Sequence, residues 1–529
     1  MTSVLRSPSF ESTAMTSACL ALTDIDHIKS FIFAAPYLRE IRGSSGILAA
    51  LNDPHEVHQR VKGQGTLLYA GGGSVLATFP SVVSARDFIE REACELEERT
   101  QGGATLTGVY EPIGTAGFGA AMLRAQARLH DAKARRATLM RRPHSPLFKP
   151  CQSCGAQPAQ RFHPLRQQFV CLPCAARIEY DGERHRLYRQ FVASLDEASK
   201  EHWQAARPAD DLTALAATMQ NTIGVIRADG NAMGERLKLL AEIGSEELFK
   251  QFSTACRTAT EGAVLAALHK AYRRPRWFAN HTIFPFEFVL LGGDDVELIT
   301  TADQALQVAM DFCDDFTTRM QRFADACGHP ELAVAMSAGV VCAQSTYPIA
   351  ALDDLAEQLL KSAKASSRHR TNGSSLMPTM DFMIVTASIT GNLETVRTQE
   401  YRCNQQQRLT QRPYEIAQLY TLFDHIRLMK YPPVGVAPFP RNKLQALYDL
   451  FFPFRSKRQT ALEYLLLTRR LSDQGTLSHR EMLRRLNEQA GADDMGHSPW
   501  HASLDPKFES DTCLVDVVEL YDFVARRSE

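Results

Sequence analysis

Short apolar runs alternate with amphipathic segments over the first 140 residues of the chain. An apolar run of strand length indicates a buried strand, whereas apolar residues at i, i+3, i+4 and i+7 indicate one face of a helix. The predicted elements are a strand at 18–26, a helical segment at 27–52, a hairpin at 65–80, a helix at 82–98, a strand at 105–112 and a helix at 118–140. This β-α-β-β-α-β order is typical of ferredoxin-like, or palm, domains.

The same order returns in the second half of the chain. The predicted elements are a strand at 222–229, a helix at 231–248, a hairpin at 281–300, a helix at 302–326, a strand at 332–342 and a helix at 352–368. From about residue 400 onward the strand signal fades, and apolar residues recur at helical spacing between loops rich in Pro and Gly. We therefore predict an α+β fold with two ferredoxin-like palm domains and a C-terminal helical domain.

The domain boundaries follow from this order and from a basic, proline-containing segment between the two palms. At roughly 150 residues per domain, a chain of 529 residues has room for about three or four domains. The predicted parts are a tail at 1–17, a first palm at 18–142, an insertion with a helical linker at 143–215, a second palm at 216–395 and a helical domain at 396–529.

Composition narrows the class of protein. Hydrophobic residues make up 44% and charged residues 22% of the chain, which is typical of globular proteins and excludes wholesale disorder. The 59 Lys and Arg against 60 Asp and Glu give a net charge of −1, so a globally basic nucleic-acid binder is excluded. No apolar run approaches the roughly 18 residues of a membrane span, and the first residues lack a signal peptide core. We expect a cytoplasmic protein with no membrane association.

Four of the twelve cysteines form two Cys-x-x-Cys pairs, Cys151 with Cys154 and Cys171 with Cys174. Each pair places two thiolates on one tight turn, and the intervening loop lets the pairs converge on one Zn²⁺. The spacing predicts a closed, structural zinc site in a zinc-ribbon-like insertion that joins the palms. A redox dithiol or a coincidence of spacing is the alternative. The other eight cysteines lie singly in apolar segments and are predicted to be reduced.

Three acids lie at places that the second palm should bring together. Asp229 ends the predicted strand at 222–229, and Asp294 with Asp295 lies at the tip of the following hairpin. In a β-α-β-β unit these places are neighbours on adjacent antiparallel strands. Carboxylate oxygens suit Mg²⁺ or Mn²⁺, and two such ions can activate a hydroxyl and stabilise a leaving pyrophosphate. Ordinary turn chemistry is the alternative for a lone Gly-Gly-Asp.

Glycines and a lysine accompany these acids. Gly292 and Gly293 allow the hairpin turn and leave space for a nucleotide, and Gly230 lets the next helix offer its N–H groups to phosphate. Lys364, with Lys361 as second choice, lies where a triphosphate would be neutralised. The alternative for either lysine is a solvated helix end.

The first palm has the same layout without the same chemistry. Its hairpin carries Gly71, Gly72, Gly73 and Ser74 and no acid, so no catalytic metal is expected there. Asp24 and Asp26 at the end of its first strand are predicted to cap or to form hydrogen bonds. The glycine-lined surface remains a candidate for the base or ribose of a second nucleotide.

Two basic stretches, 127–142 and 273–276, are interpreted as solvated helix faces, with phosphate contact as the minority alternative. The pair His130 and Asp131 in the first stretch is interpreted as incidental, because nothing nearby in sequence completes a metal-dependent nuclease site.

The motifs of the two predicted palms and of the cysteine insertion resemble, in their order and spacing, those of the large, double-palm subunit of type III CRISPR effector complexes. The resemblance covers about residues 20–395 and, more loosely, the helical tail. It rests on DIDHIKSFIFAAPYLREIRGSSGIL, YAGGGSVLATFP, CQSCGAQPA, CLPCAAR, IGVIRADGNAMGERL, LLGGDDVEL, MSAGVV and LAEQLLKSAKASSR.

The resemblance implies palms akin to those of nucleotidyl cyclases and polymerases, which face one another and hold two ATP molecules. It implies that the 3′-hydroxyl of one ATP is joined to the α-phosphate of another, which releases pyrophosphate and builds cyclic oligoadenylates. Asp229, Asp294 and Asp295 would be the metal-binding acids, with Gly292 and Gly293 at the turn. The implied partners are other subunits of the complex, guide RNA and target RNA.

Two departures from the family pattern matter. Many members begin with a histidine-aspartate nuclease domain, and only about twenty residues precede the first palm here, so we do not expect DNA cleavage. Asn231 stands where relatives often have a second acid, which leaves the number of metal ions open. Two other functions stay open as well: a non-catalytic scaffold for guide RNA and partner proteins, and a free-standing cyclic nucleotide synthase in antiviral defence.

Overall fold

The structure is a computed structural model. It describes residues 18–137, 148–180, 186–216, 221–370, 377–386, 391–451, 457–471, 477–489, 498–503 and 505–526. The predicted tail at 1–17 lies outside the described residues, as do the end of the helix predicted to reach residue 140 and the last part of the basic stretch at 127–142.

The first palm is a four-stranded antiparallel sheet with strand order β2-β3-β1-β4. Its strands are β1 (Cys19–Asp26), β2 (Thr66–Gly71), β3 (Ser74–Phe79) and β4 (Thr105–Pro112). Its helices are α1 (Ile28–Ile32), α2 (Leu38–Leu51), α3 (Pro54–Val61), α4 (Val82–Thr100) and α5 (Gly117–Ala137). This order confirms the predicted ferredoxin-like topology.

The helical segment predicted at 27–52 is two helices, because Pro36 falls between α1 and α2 and has no N–H to continue a helix. The short helix α3 is missing from the sequence prediction. Its start carries a recognisable signal, since Asp53 accepts hydrogen bonds from the backbone N–H groups of His55 and Glu56, with Pro54 at the first helical position.

The segment between the palms contains the cysteines and a helical linker. Its elements are β5 (Arg161–His163), β6 (Gln168–Val170), α6 (Leu172–Glu179), α7 (Arg186–Ala193), α8 (Glu197–Trp203) and α9 (Leu212–Ala216). The strands β5 and β6 form a small antiparallel hairpin, and Cys171 is the N-cap of α6. A small core of the cysteines with Val170, Ala175 and Ile178 holds this module together.

The second palm has a six-stranded sheet with order β10-β11-β7-β12-β13-β15. Its strands are β7 (Thr222–Gly230), β10 (Phe286–Gly292), β11 (Asp295–Thr301), β12 (Met336–Gln344), β13 (Thr379–Ile384) and β15 (Tyr414–Glu415). Its long helices are α10 (Met233–Ile243), α11 (Glu246–Ala271), α12 (Ala302–Ala326) and α13 (Ile349–Arg370). A separate small hairpin consists of β8 (Arg276–Phe278) and β9 (His281–Ile283).

Several predicted boundaries in the second palm are corrected. The helix predicted at 231–248 ends at Ile243, because Gly244 adopts a φ of +72°, and α11 then starts behind the N-cap Ser245. The predicted hairpin at 281–300 begins at Phe286, after Pro285, and the strand predicted at 332–342 begins at Met336. The core of the palm order, β-α-β-β-α-β, is confirmed.

The C-terminal region is mainly helical, as predicted. Its helices are α14 (Leu393–Glu400), α15 (Ile416–Lys430), α16 (Arg441–Asp449), α17 (Lys457–Thr468), α18 (His479–Gln489) and α19 (Leu514–Leu520). Its remaining strands are β14 (Gln407–Arg408), β16 (His501–Ala502) and β17 (Ser510–Asp511). One short strand of this region, β15, pairs with β13 and extends the sheet of the second palm.

The two palms pack against each other through apolar side chains and helix contacts. The rings of Phe118 and Phe249 lie 5.9 Å apart in an edge-to-face arrangement. Gly119 in α5 lies so close to Ala241 in α10 that any side chain would clash with its carbonyl oxygen. The palms therefore form a continuous core, which fixes the position of one sheet relative to the other. In the described part of the chain, no helix is long and apolar enough to cross a membrane.

Candidate functional site

The three predicted acids meet at one end of the second palm. Asp229 lies next to the end of β7, Asp294 lies at the turn of the β10–β11 hairpin, and Asp295 begins β11. The register pairs Val296 with Ala228, so Asp295 lies beside Asp229 on the neighbouring antiparallel strand. The charge of Asp229 also acts on Asp294 at the turn. The topology thus brings together residues that are more than 60 positions apart in sequence.

The acids carry a concentration of negative charge that the site only partly balances. Burial raises the pKa of Asp294 well above its usual value, and the charges of Asp229 and Asp295 raise it further. Burial and then the charge of Asp229 raise the pKa of Asp295 to about 6, against the opposing effects of Arg227 and Lys364. Two neighbouring carboxylates repel each other unless a proton or a cation lies between them.

A divalent cation is the group that this donor set fits. Oxygen ligands from carboxylates are those that Mg²⁺ and Mn²⁺ prefer. Asp229, Asp294 and Asp295 are the residues that would hold such a cation.

Lys364, from helix α13, is the cation closest to the acids. Its ammonium donates to the carboxylate of Asp229 and to the carbonyl oxygen of Gly230, the latter at 2.9 Å. Lys361, the second choice from the sequence, lies one turn earlier and is 71% exposed, with Glu357 as its partner at 2.6 Å. The structure therefore places Lys364 at the site and Lys361 outside it.

Gly293 and Gly230 are needed for different structural reasons. Gly293 adopts a φ of +63°, which only glycine tolerates without strain, and an added Cβ would lie 2.8 Å from the hydroxyl of Tyr69. At Gly230, a Cβ would lie 2.9 Å from Oδ2 of Asp294. The prediction that Gly230 opens a helix is corrected, since α10 begins at Met233 and Gly230 leaves room for the acid.

Gly292 lies against the first palm. A Cβ on Gly292 would lie 3.2 Å from the backbone nitrogen of Gly72, and a Cβ on Gly71 would lie 3.4 Å from that of Gly293. The glycine-containing turns of the two palms therefore face each other across a very short distance. This arrangement makes the turn of the first palm part of the surroundings of the acids.

Sequence reasoning missed side chains that complete these surroundings. Tyr69, on β2 of the first palm, lies against the turn at Gly293, and burial together with the charge of Asp294 raises its pKa. Arg227 lies two residues before Asp229, hence on the same face of β7, and forms an ion pair with Asp353 at 2.9 Å. Lys29, from α1, pairs with Glu357. The period of two along β7 was a signal for Arg227, whereas the contacts of Tyr69 and Lys29 depend on how the palms pack.

Asn231 is buried and has a structural role. Its backbone N–H donates to the carbonyl oxygen of Ala335 at 2.7 Å, and its side-chain amide donates to Ser367 and to the carbonyl oxygen of Met377 at 3.3 Å each. The side chain therefore links β7 to the end of α13 and to the segment before β13.

The corresponding region of the first palm forms hydrogen bonds and ion pairs, as predicted. Lys133 in α5 pairs with Asp24, and the hydroxyl groups of Thr105 and Thr107 donate to Asp26 at 2.9 and 2.8 Å. The hairpin between β2 and β3 contributes no carboxyl group. Asp24 and Asp26 are thereby engaged with partners within the first palm.

The four cysteines converge as the spacing predicts. Cys151, Cys171 and Cys174 are buried and Cys154 is half-buried, and the sulfurs of Cys154 and Cys171 lie 3.8 Å apart. Tetrahedral zinc with bonds of about 2.3 Å to each sulfur requires a separation of about 3.8 Å, so these residues fit the metal. The backbone N–H of Cys171 donates to the sulfur of Cys151 at 3.3 Å, a contact that stabilises a thiolate.

The cysteine module packs on α2, which in turn contacts the second palm. Gly43 of α2 lies against the backbone of Arg177, where a side chain would clash, and Ser153 donates to the buried Glu40 at 2.6 Å. One residue before Gly43, the buried Arg42 forms an ion pair with Glu287 of β10, with Nε to Oε1 at 3.0 Å. The module therefore supports the helix that joins the palms.

The fold and the site together define a class of protein. The chain is a double-palm protein whose second palm carries the acids and whose palms are joined by a four-cysteine module. Residues 222–372 match the family model of the Cas10/Cmr2 second palm domain. No curated protein matches the chain.

Solved structures extend the similarity over the rest of the chain. A Csm1–Csm4 cassette in complex with pppApApA is 13% identical with a TM-score of 0.58, covering 98% of this chain and 71% of that chain. The cassette with cA4 is 14% identical with a TM-score of 0.54, covering 96% and 70%. A Csm1–Csm4 subcomplex of the type III-A CRISPR-Csm interference complex is 13% identical with a TM-score of 0.51, covering 96% and 70%. The fold is thus that of Csm1, which confirms the predicted resemblance for the fold and for the second palm.

Proposed function

We propose that this chain is a nucleotidyltransferase that converts ATP into cyclic oligoadenylates and pyrophosphate, as the large subunit of an RNA-guided type III CRISPR complex. The observation that carries the proposal is the convergence of Asp229, Asp294 and Asp295 beside Lys364 on a Cas10/Cmr2 second palm. The Csm1–Csm4 structures of the same fold contain the adenylate ligands cA4 and pppApApA, which supports ATP as the substrate.

In the proposed reaction, the 3′-hydroxyl oxygen of one ATP bonds to the α-phosphorus of another. The hydroxyl proton passes to solvent, and the bond between that α-phosphorus and the oxygen that bridges to its β-phosphate breaks to release pyrophosphate; the same step within a linear oligoadenylate closes the ring. We assign two Mg²⁺ or Mn²⁺ ions to Asp229, Asp294 and Asp295. Divalent ions held there would neutralise charge at the phosphates and lower the pKa of the attacking hydroxyl.

Lys364 is suited to hold a phosphate group beside the acids. An ammonium group has three N–H donors, and two of them are used by Asp229 and the carbonyl oxygen of Gly230. The third donor is available for a phosphate oxygen. The absence of side chains at Gly292 and Gly293 lets this turn approach Gly72 and Tyr69 of the first palm, and the facing turn at Gly71–Gly73 is assigned to the base or ribose of the second nucleotide.

We assign one structural Zn²⁺ to Cys151, Cys154, Cys171 and Cys174. Four protein ligands leave no position for water, so the role of this metal is to hold the module that supports α2. Purified chain should contain one zinc per molecule by elemental analysis, and Cys171→Ser should lose it together with thermal stability. The assignment would be refuted if the purified wild-type chain contained no zinc and Cys171→Ser had the same melting temperature as wild type.

The proposal for nucleotidyl transfer is tested with the full chain, or the complex isolated with it, in the presence of ATP and Mg²⁺ or Mn²⁺. Pyrophosphate release is measured, and products are identified by mass spectrometry. The double variant Asp294→Ala/Asp295→Ala should abolish both signals. The matched control is Asp314→Ala/Asp315→Ala, which removes another adjacent pair of acids from helix α12 and should keep the activity.

Unchanged product formation in the Asp294→Ala/Asp295→Ala variant would refute the assignment of the site. A complex that binds RNA and forms no product with any metal or activator would instead support the scaffold function. Co-purification separates the remaining alternative, since a free-standing synthase would be isolated active without RNA or sibling subunits.

A further inference from the structure

A basic segment without acids leads from α11 into the second palm sheet. Residues 262–286 contain no Asp or Glu, although acids and bases are balanced over the chain as a whole. Arg273 and Arg274 follow α11 directly and are both exposed. Within the part of the chain that the structure describes, neither arginine forms an ion pair. Their charge is therefore available to an anionic partner.

An exposed tryptophan lies immediately after these arginines. Trp277, in strand β8, is 67% exposed, whereas the other two tryptophans, Trp203 and Trp500, are 1% and 4% exposed. A tryptophan face of this size is costly to leave in water, and it is the side chain best suited to stack on a planar ring. Arg273 and Trp277 are four residues apart, so their Cα atoms are separated by at most about 14 Å.

The hairpin that carries Trp277 is held in a fixed position. Its two turn residues, Ala279 and Asn280, both have positive φ, as a two-residue turn of type I′ requires. On the other side, the N–H of Arg207 donates to the carbonyl oxygen of Thr282 at 3.1 Å, and the N–H of Phe284 donates to that of Arg207 at 3.0 Å. The aromatic ring is thus presented by backbone hydrogen bonds and needs little further ordering on binding.

Arg276 has an inward role and is not part of this exposed surface. It is half-buried and donates to the carbonyl oxygen of Leu215, and the acid that acts on its charge, Asp303, lies at the start of α12. The side chains alternate along β8, so Arg276 and Phe278 lie on the partly buried face and Trp277 on the solvent face.

We propose that the surface formed by Arg273, Arg274 and Trp277 binds single-stranded nucleic acid. Arginines that contact phosphates together with an aromatic ring that stacks on a base form the usual platform for single strands. A duplex would not fit this platform, because its bases are stacked on each other and not available to the ring. This inference is independent of the proposed nucleotidyl transfer, and its test contains no ATP.

The test uses the full chain and a fluorescently labelled oligonucleotide of about 15 nucleotides, in one arm RNA and in the other DNA of the same sequence. Binding is followed by anisotropy and, with unlabelled strand, by tryptophan emission. Because Trp277 is the exposed tryptophan, stacking should quench the red-edge emission of the wild-type chain. Quenching by RNA alone, or by both strands, supports the proposal and shows which sugar the site accepts.

Variants assign the roles of the three residues. Trp277→Ala should weaken binding about 5- to 150-fold, as expected for the loss of one stacked base, and Trp277→Phe should restore part of the affinity. Arg273→Ala/Arg274→Ala should lower the slope of log K against log salt by about 1.4, the value for two phosphate contacts on a single strand. Arg86→Ala, an exposed arginine on α4, is the matched control and should change neither quantity.

Equal affinity and equal salt dependence in wild type, Trp277→Ala and Arg273→Ala/Arg274→Ala would overturn the proposal. It would also be overturned if Trp277→Ala removed a protein subunit from the isolated complex while strand binding stayed unchanged. In that case the hairpin would be a docking surface for protein.

Discussion

The two palms share a frame and differ at a few positions near the ends of corresponding strands. In the first palm, Lys133 pairs with Asp24 and donates to the carbonyl oxygen of Ile25 at 3.3 Å. In the second palm, Lys364 pairs with Asp229 and donates to the carbonyl oxygen of Gly230 at 2.9 Å. An aspartate at the strand end with a lysine from the last helix is therefore a feature of the frame in both palms, and by itself it does not identify the catalytic one.

The β2–β3 and β10–β11 hairpins distinguish the two palms more clearly. Ser74 closes its hairpin opposite Gly71 in the same way that Asp295 closes its hairpin opposite Gly292. The second palm has acids at the last turn position and at the first position of the second hairpin strand, Asp294 and Asp295, whereas the first palm has Gly73 and Ser74 there. The carboxyl groups of Asp294 and Asp295 thus give the second palm additional negative charge at this turn, which favours a divalent cation.

Matched substitutions of the aspartates at the strand ends should give the largest difference between the palms in the rate of ATP conversion. Asp229→Asn should lower the rate of ATP conversion by at least on the order of 10²-fold, since it removes a charged ligand from the reacting groups. Asp24→Asn, the matched change in the first palm, should leave the rate nearly unchanged. Pyrophosphate release under saturating ATP measures both. Losses of equal size would mean that the palms are not divided into a catalytic and a supporting one.

Matched substitutions of the two lysines, Lys364 and Lys133, should give a smaller difference, in kcat/KM for ATP. Lys364→Ala should lower kcat/KM for ATP about 10- to 100-fold, which corresponds to the loss of one hydrogen bond of ~1.5–3 kcal/mol to a charged group. Lys133→Ala should affect thermal stability and leave kcat/KM close to the wild-type value. A kinetic defect confined to Lys133→Ala would reverse the assignment of the palms.

The smallest difference is expected when Asp295 and the corresponding Ser74 are substituted. The quantity measured is the pH dependence of the melting temperature in buffer free of divalent cations. The pKa of Asp295 is raised from 3.8 to about 6, so the folded chain binds this proton more tightly than the unfolded chain. The stability that the proton confers is present at low pH and is lost as the pH rises through about 6. Between about pH 4 and 6.5, the melting temperature of wild type should fall about 2–4 °C more than that of Asp295→Asn.

Ser74→Ala, the change at the corresponding position of the first palm, is the control and should keep the wild-type pH slope. If Asp295→Asn also kept that slope, the carboxyl group of Asp295 would not be the one that titrates. Addition of Mg²⁺ or Mn²⁺ at neutral pH should then raise the melting temperature of wild type and not of Asp294→Ala/Asp295→Ala.

The sequence predicts the palm order and the meeting of the three acids because both depend on local patterns. Asp229 ends an apolar strand, and Asp294 and Asp295 mark a turn, so the topology alone brings them together. Helix α11 was missed because many of its buried positions are small residues such as Ala259, Ala263 and Ala267, which give a weak hydropathy signal.

Other features depend on contacts between distant segments. Tyr69 reaches the turn at Gly293 from the other palm, and the strand β15 joins the second sheet from within the helical C-terminal region. The hydrophobic pattern along the chain does not predict which surface of the other palm Tyr69 contacts. The role of Gly230 is a further example, because its need for space comes from Asp294, a residue on a different strand.

The location of bound manganese tests the central claim most directly. Crystals or vitrified complexes prepared with Mn²⁺ and a non-hydrolysable ATP analogue should show manganese between Asp229, Asp294 and Asp295, and not at Asp24 and Asp26. Manganese bound in the first palm, or a nucleotide whose phosphates lie away from the three acids, would contradict the assignment of catalysis to the second palm.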